Sequence, residues 1–141
     1  MLAFFAAGIP KGQPRPRAFS RGGHARVFDP GTAEGWKSCV AVAAQPHRGR
    51  FGMSGPLGVE IVFTFPRPKT HYRKAGLRPE APLWHVAKPD ADNAAKAVLD
   101  ALTQIGVWDD DALVASLRVE KKYGGRPGAF IAIEPLVRED E

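Results

Sequence analysis

Apolar and polar positions alternate with clear periods along much of this chain. Leu2 to Ala7 is a short apolar run closed by Gly8 and Pro10, the pattern of a buried strand. Residues 10–26 hold three prolines, three glycines and five Lys/Arg. They read as a loop or loose hairpin, because Pro14 and Pro16 exclude a helix, and Arg26-Val27-Phe28 reads as a short returning strand. Thr32 is placed to cap a helix from about Ala33 to Ala44, with Trp36, Val40 and Ala43 on one face. Leu57 to Phe65 has period two, with Leu57, Val59, Ile61, Phe63 and Phe65 on one side, which predicts a strand with one face in the core. After a long basic, proline-punctuated connection (66–89), residues 92–105 carry the strongest helical pattern. Ala94, Ala97, Val98, Ala101, Leu102 and Ile105 share a face, Asp92 or Asn93 serves as cap, and Gly106 ends the helix. Leu113 to Tyr123 and Ala129 to Ile133 read as the last two strands. The order predicts one α+β domain over residues 1–141, a mixed or antiparallel sheet with two main helices packed on it, and a frayed tail over 136–141.

Composition narrows the class. With 44% hydrophobic and 25% charged residues, the chain has enough apolar material for a core and is not a disordered segment. The single cysteine, Cys39, cannot make an internal disulfide and points to a reducing, cytoplasmic setting. No run approaches the roughly 20 apolar residues of a membrane span, and MLAFFAAGIP lacks the basic start of a signal peptide. Charge is segregated: residues 1–50 carry eight Lys/Arg against two Asp/Glu, whereas residues 89–123 carry four against seven. A basic front and an acidic back suggest a polyanion partner meeting a separate acidic site.

That acidic site is KPDADNAAKAVLDALTQIGVWDDD (88–111). Asp90 and Asp92 are two apart, so in an extended approach to the helix, which Pro89 favours, they point the same way. Lys96 follows Asp92 by one helical turn, away from the apolar face. Asp109-Asp110-Asp111 come after the helix and return to its start only if the next strand lies alongside. Repulsion among three consecutive acids calls for a cation, and carboxylate oxygens suit Mg²⁺. The plainer alternatives stand beside this: Asp90 and Asp92 as helix caps, Lys96 as an i+4 partner of Asp92 or Asp100, and the triple acid as a solvated turn. The four histidines show no zinc-ligand spacing, and no nucleotide-binding loop occurs.

The same stretch resembles the RusA family of Holliday-junction resolvases, common in prophages, through D-x-D-N-x-x-K, D-A-L and W-x-D-D. These residues are Asp90, Asp92, Asn93 and Lys96, then Asp100-Ala101-Leu102, then Trp108 and Asp110-Asp111. GIPKGQPRPR and FPRPKTHYRK resemble the family's upstream segments. The resemblance implies a homodimeric, Mg²⁺-dependent endodeoxyribonuclease (Mn²⁺ substituting) that resolves four-way DNA junctions in recombination and repair by paired nicks with 5′-phosphate ends. It assigns Asp90, Asp92 and Asp111 as metal-binding catalytic residues and Lys96 as the catalytic lysine, while Asn93 would orient a coordinated water, a carboxylate or the DNA. Three acids at 109–111, where the family has two, leave the third ligand open between Asp111 and its neighbours. Lys11, Arg15, Arg17, Arg21, Lys69, Arg73, Lys74 and Lys88 are the expected phosphate contacts. Tyr72 and Trp84 read either as core or as wedges at the junction centre. No membrane or nucleotide cofactor is expected. The rival readings are a catalytically silent nucleic-acid-binding phage protein on the same fold and a nuclease preferring other branched DNA.

Overall fold

The computed structural model describes residues 1–13, 17–21, 24–28 and 33–138. Strand β1 (Leu2–Ala7) is followed by a hairpin of β2 (Arg17–Arg21) and β3 (His24–Phe28), helix α1 (Glu34–Ala44) and strand β4 (Leu57–Phe65). A two-residue ladder, β5 (Tyr72–Arg73) with β6 (Gly76–Leu77), leads to helix α2 (Ala91–Ile105), then β7 (Val114–Tyr123) and β8 (Gly128–Pro135). The main sheet runs β1-β8-β4-β7. β7 is parallel to β4 and the other pairings are antiparallel, so the sheet is mixed. A parallel pair needs a crossover, and α2 supplies it between β4 and β7.

Both helices cover one face. The period-two side of β4 is buried throughout, together with Ala129, Ile131 and Ile133 of β8 and Leu2 and Ala6 of β1. Trp36, Val40 and Ala44 of α1 and Ala94, Ala97, Val98, Ala101 and Leu102 of α2 close over them. The opposite face keeps Glu60, Phe130 and Glu134 in solvent. To reach β8 the chain passes over the end of β4, where Gly124 N donates to Phe65 O at 3.0 Å. A Cβ at Gly124 would sit 2.8 Å from Thr64 Cγ2, so any larger residue there must displace that side chain.

The structure revises several local expectations. α2 starts earlier than its composition suggests: Asp90 is the N-cap (φ −62°, ψ 156°) and Asp92 lies inside the first turn. The helix begins as soon as Pro89, which disfavours helix in its predecessor, is passed. Asp90 and Asp92 are therefore not two positions of one extended strand. The cap of α1 is Ala33, without a side-chain bond, and Thr32 lies outside the described residues. Segment 66–89 is not structureless, since Arg67 Nη1 donates to Pro82 O at 2.7 Å and Arg78 N to His71 O at 2.8 Å. Gly106 ends α2 as its position predicts, in the left-handed conformation (φ 84°) that glycine adopts without penalty.

Candidate active site

The start of α2 is held from two sides. Lys121, on the helix-facing side of β7, donates from Nζ to Ala87 O and to Pro89 O, both at 2.7 Å. This pins the approach to Asp90 against the sheet. From the other side residues 11–13 cross the first turn, with Gln13 N donating to Asn93 O at 3.2 Å. Gly12 permits this crossing: a Cβ there would collide with Asn93 Nδ2 and lie 3.1 Å from Pro89 Cβ. The same crossing brings exposed Lys11 to the site. Deeper along α2, Asp100 pairs with buried Lys37 of α1 and accepts from Gln13 Nε2 (3.3 Å) and Gln104 Nε2 (3.2 Å). Asp100 thus ties the two helices together.

On this support Asp90 and Asp92 are exposed. Asp90 makes no side-chain capping bond, and among the described residues neither carboxylate is in an ion pair. Two hard oxygen donors thus stand at the positive end of a helix dipole, in no ion pair among the described residues. Lys96 is exposed one turn further on and is likewise in no ion pair among the described residues.

Asp109, Asp110 and Asp111 sit at the other end of α2. Trp108 is fully buried, with Nε1 donating to Thr103 Oγ1 at 2.7 Å, and Asp109 N donates to Gly52 O at 3.0 Å. Asp110 Oδ1 accepts from Ala112 N at 2.9 Å and caps the 3₁₀ turn Asp111–Leu113 that leads into β7. Asp110 therefore serves the turn, and Asp111 is left exposed. β7 does run alongside α2, but antiparallel to it, with its end and not its start beside Asp90. A 15-residue helix separates the two acidic groups, roughly 22 Å at 1.5 Å per residue. Accordingly, among the described residues no three His, Cys, Asp or Glu side chains gather as a metal site.

Beyond Asp90, an aromatic cluster backs the site. His85 is buried, stacked on Phe65 with ring centroids 3.8 Å apart, and edge-on to Tyr123 at 5.1 Å. Burial, and secondarily the Lys121 ammonium, hold its pKa below the ordinary histidine value, keeping it neutral. Lys69, Arg73, Lys74 and Lys88 are exposed on the segment leading to the site. Arg17 and Arg21 lie on β2, while Arg15 falls outside the described residues. Trp84 and Tyr72 are both about half exposed, so neither is core. Lys121 carries no motif, but a lysine on the buried side of a period-two strand implies carbonyl partners, and that signal was available in the sequence.

The family model described as "Endodeoxyribonuclease RusA" matches residues 7–134, which include both acidic groups and Lys96. A Bacillus subtilis (strain 168) protein named "Uncharacterized protein YqaN" is 33% identical over 141 residues, covering 98% of this chain and 96% of the relative. No helix among the described residues is long and apolar enough to cross a membrane.

Proposed function

The chain belongs to the RusA endodeoxyribonuclease family, a family of junction-resolving endonucleases, and we propose that it nicks four-way DNA junctions by Mg²⁺-dependent hydrolysis, leaving 5′-phosphate ends. The observation that carries this reading is the pair Asp90 and Asp92, exposed and in no ion pair among the described residues, on a firmly held helix start. Mg²⁺ is commonly held by one or two carboxylates together with substrate phosphate, and these two side chains fit that role, with Mn²⁺ as a substitute. When bound, the ion supplies charge neutralisation at the scissile phosphate and a more acidic attacking water. Lys121 and the peptide of Asn93 keep Asp90 and Asp92 in place. Lys96 offsets the negative charge that builds on the phosphate during attack. The Asn93 amide, beside Gly12, is within the same turn to orient the water or the phosphate. Lys11, Lys69, Arg73, Lys74, Lys88 and the arginines of 15–21 meet backbone phosphates, which position DNA without reading its sequence.

Asp111 enters through a second copy. One chain keeps Asp111 at the far end of α2, and among the described residues no third carboxylate gathers with Asp90 and Asp92, so in this reading Asp111 reaches them from a partner. A twofold homodimer supplies it twice over, and gives two sites related by symmetry, as two coordinated nicks in a symmetric junction require. The test is a synthetic four-way junction labelled on each strand. With Mg²⁺ the expected result is paired, symmetry-related nicks that vanish on chelation and return with Mn²⁺. Tight binding with no nicks under either ion would identify a silent DNA-binding protein. Faster cleavage of flaps than of junctions would move the substrate to other branched DNA.

A further inference from the structure

Segment 66–89 carries a small finger. Tyr72 pairs with Leu77 and Arg73 with Gly76, and Lys74-Ala75 turn the chain between them. Gly76 closes the turn at φ 117°, a conformation that favours glycine. The base of the finger is tied by Arg78 N donating to His71 O (2.8 Å) and Arg78 Nε donating to Thr70 O (3.1 Å). It is rooted on Tyr123: the Arg67 guanidinium lies 5.5 Å from that ring's centroid, and His71 meets the ring edge-on at 4.8 Å. The register partner of Tyr123 in β4 is buried Phe65, and two residues earlier Lys121 holds Pro89 O. The finger therefore stands on the helix side of the sheet, at the end where Pro89 leads into Asp90. From Pro66 to Pro79 there are five Lys/Arg and no Asp or Glu. Amid these cations Tyr72 and Leu77, directly opposite each other, share one face of the ladder, 47% and 48% exposed. An apolar pair on a wholly cationic mount suits a polyanion with apolar surface between its charges, which describes the stacked bases of DNA.

We propose that Tyr72 and Leu77 form a wedge that enters DNA where base stacking is interrupted, and that this contact distinguishes a branch point from continuous duplex. The proposal rests on the reading of the protein as a junction-cleaving enzyme and names the residues that select its substrate. Apolar side chains inserted between base steps unstack them, which is unfavourable within a duplex. At a branch the stack is already broken, so the penalty is smallest there. Tyr72 offers a ring face to an exposed base, and Leu77 fills the space beside it. The ties at the base of the finger hold the pair in place before DNA arrives. Lys69, Arg73 and Lys74 meet flanking phosphates, an attraction alike on every DNA. The cations thus supply affinity, and the Tyr72–Leu77 pair supplies preference. Trp84 cannot share this task from where it stands. It bridges Lys122, whose partner Thr64 lies on the side of β4 away from the helices, and Lys122 Nζ sits 5.1 Å from its ring centroid.

The test uses a four-way junction with 2-aminopurine in place of an adenine beside the crossover, whose fluorescence rises when that base unstacks. It is read without Mg²⁺, so it does not depend on cleavage. Wild-type protein is expected to raise the signal on the junction and not on a matched duplex. Tyr72→Ala combined with Leu77→Ala is expected to lose that rise and to weaken junction binding about tenfold or more, as loss of an aromatic–base stack does. Duplex affinity and the thermal midpoint should not change, since both side chains are exposed. Tyr72→Phe, which keeps the ring, and Trp84→Ala should both retain the rise. A double variant that still raises the signal, or one that loses junction and duplex affinity equally, would overturn the wedge. Wild-type protein that nicks the junction without unstacking the base would overturn it too and leave the nuclease reading standing. A rise that needs Tyr72 and Leu77, with no nicking when Mg²⁺ is added, would uphold the wedge and remove the nuclease reading.

Discussion

Asp90→Asn, and separately Asp92→Asn, is expected to slow single-turnover cleavage of a four-way junction by at least about a thousandfold, while affinity for the junction holds or rises. A thousandfold loss corresponds to about 4 kcal/mol of transition-state stabilisation, in keeping with the several kcal/mol a catalytic metal contributes. The amide keeps the shape of the acid and removes one charge, so it weakens the hold on a divalent ion. It also relieves repulsion between the carboxylates and the DNA phosphates, which is why binding should not suffer. Asp90 makes no capping bond and both side chains are exposed, so neither change should lower the thermal midpoint appreciably. Binding and cleavage lost in parallel, with a lowered midpoint, would show instead that these residues serve the helix.

Lys96→Ala should cost about a hundred- to a thousandfold in the same assay, the range seen when one preorganised charge-stabilising group is removed from a hydrolytic site. The Mg²⁺ concentration for half-maximal rate should stay near the wild-type value, because Lys96 carries no ligand atom for the ion. Lys96 is exposed and in no ion pair among the described residues, so the substitution leaves no partner stranded. Lys96→Arg should recover part of the rate. Cleavage within tenfold of wild type for the alanine variant would reduce Lys96 to a surface lysine.

Where the polypeptide pattern was strongest, it gave the architecture directly. The two periods, 2 in Leu57–Phe65 and 3.6 in the second helix, are set by which side chains must leave water, and both faces are buried as expected except at Ile105, which is only partly covered. What the pattern does not contain is the relation between elements. Whether β7 would lie parallel to β4, and so start at the far end of α2, depends on strand order, which pairwise main-chain bonding decides across the whole sheet. Spacing therefore pointed to two acidic groups, Asp90 with Asp92 and Asp109–Asp111, but could not show that one chain keeps Asp111 away from Asp90 and Asp92. The order in 66–89 was invisible for a related reason: its ladder is only two residue pairs long, and its other hydrogen bonds run from Arg67 and Arg78 to backbone carbonyls, so it leaves no hydrophobic period. The role of Asp110 was legible only as an alternative, since capping by an aspartate two residues before its donor is a local property of turns.

Mixing two inactive proteins tests the shared site most directly. Asp111→Asn is expected to be inactive like Asp90→Asn. In a dimer of one Asp90→Asn chain and one Asp111→Asn chain, a site shared between protomers places both substitutions in one site and leaves the other whole. Purified mixed dimers, obtained with two different affinity tags, should therefore nick a four-way junction on one strand of the symmetric pair, at up to the rate of a single wild-type site. Mixed dimers that bind the junction but do not nick it would mean that each chain supplies its own three carboxylates, contrary to the separation of Asp111 from Asp90 along α2.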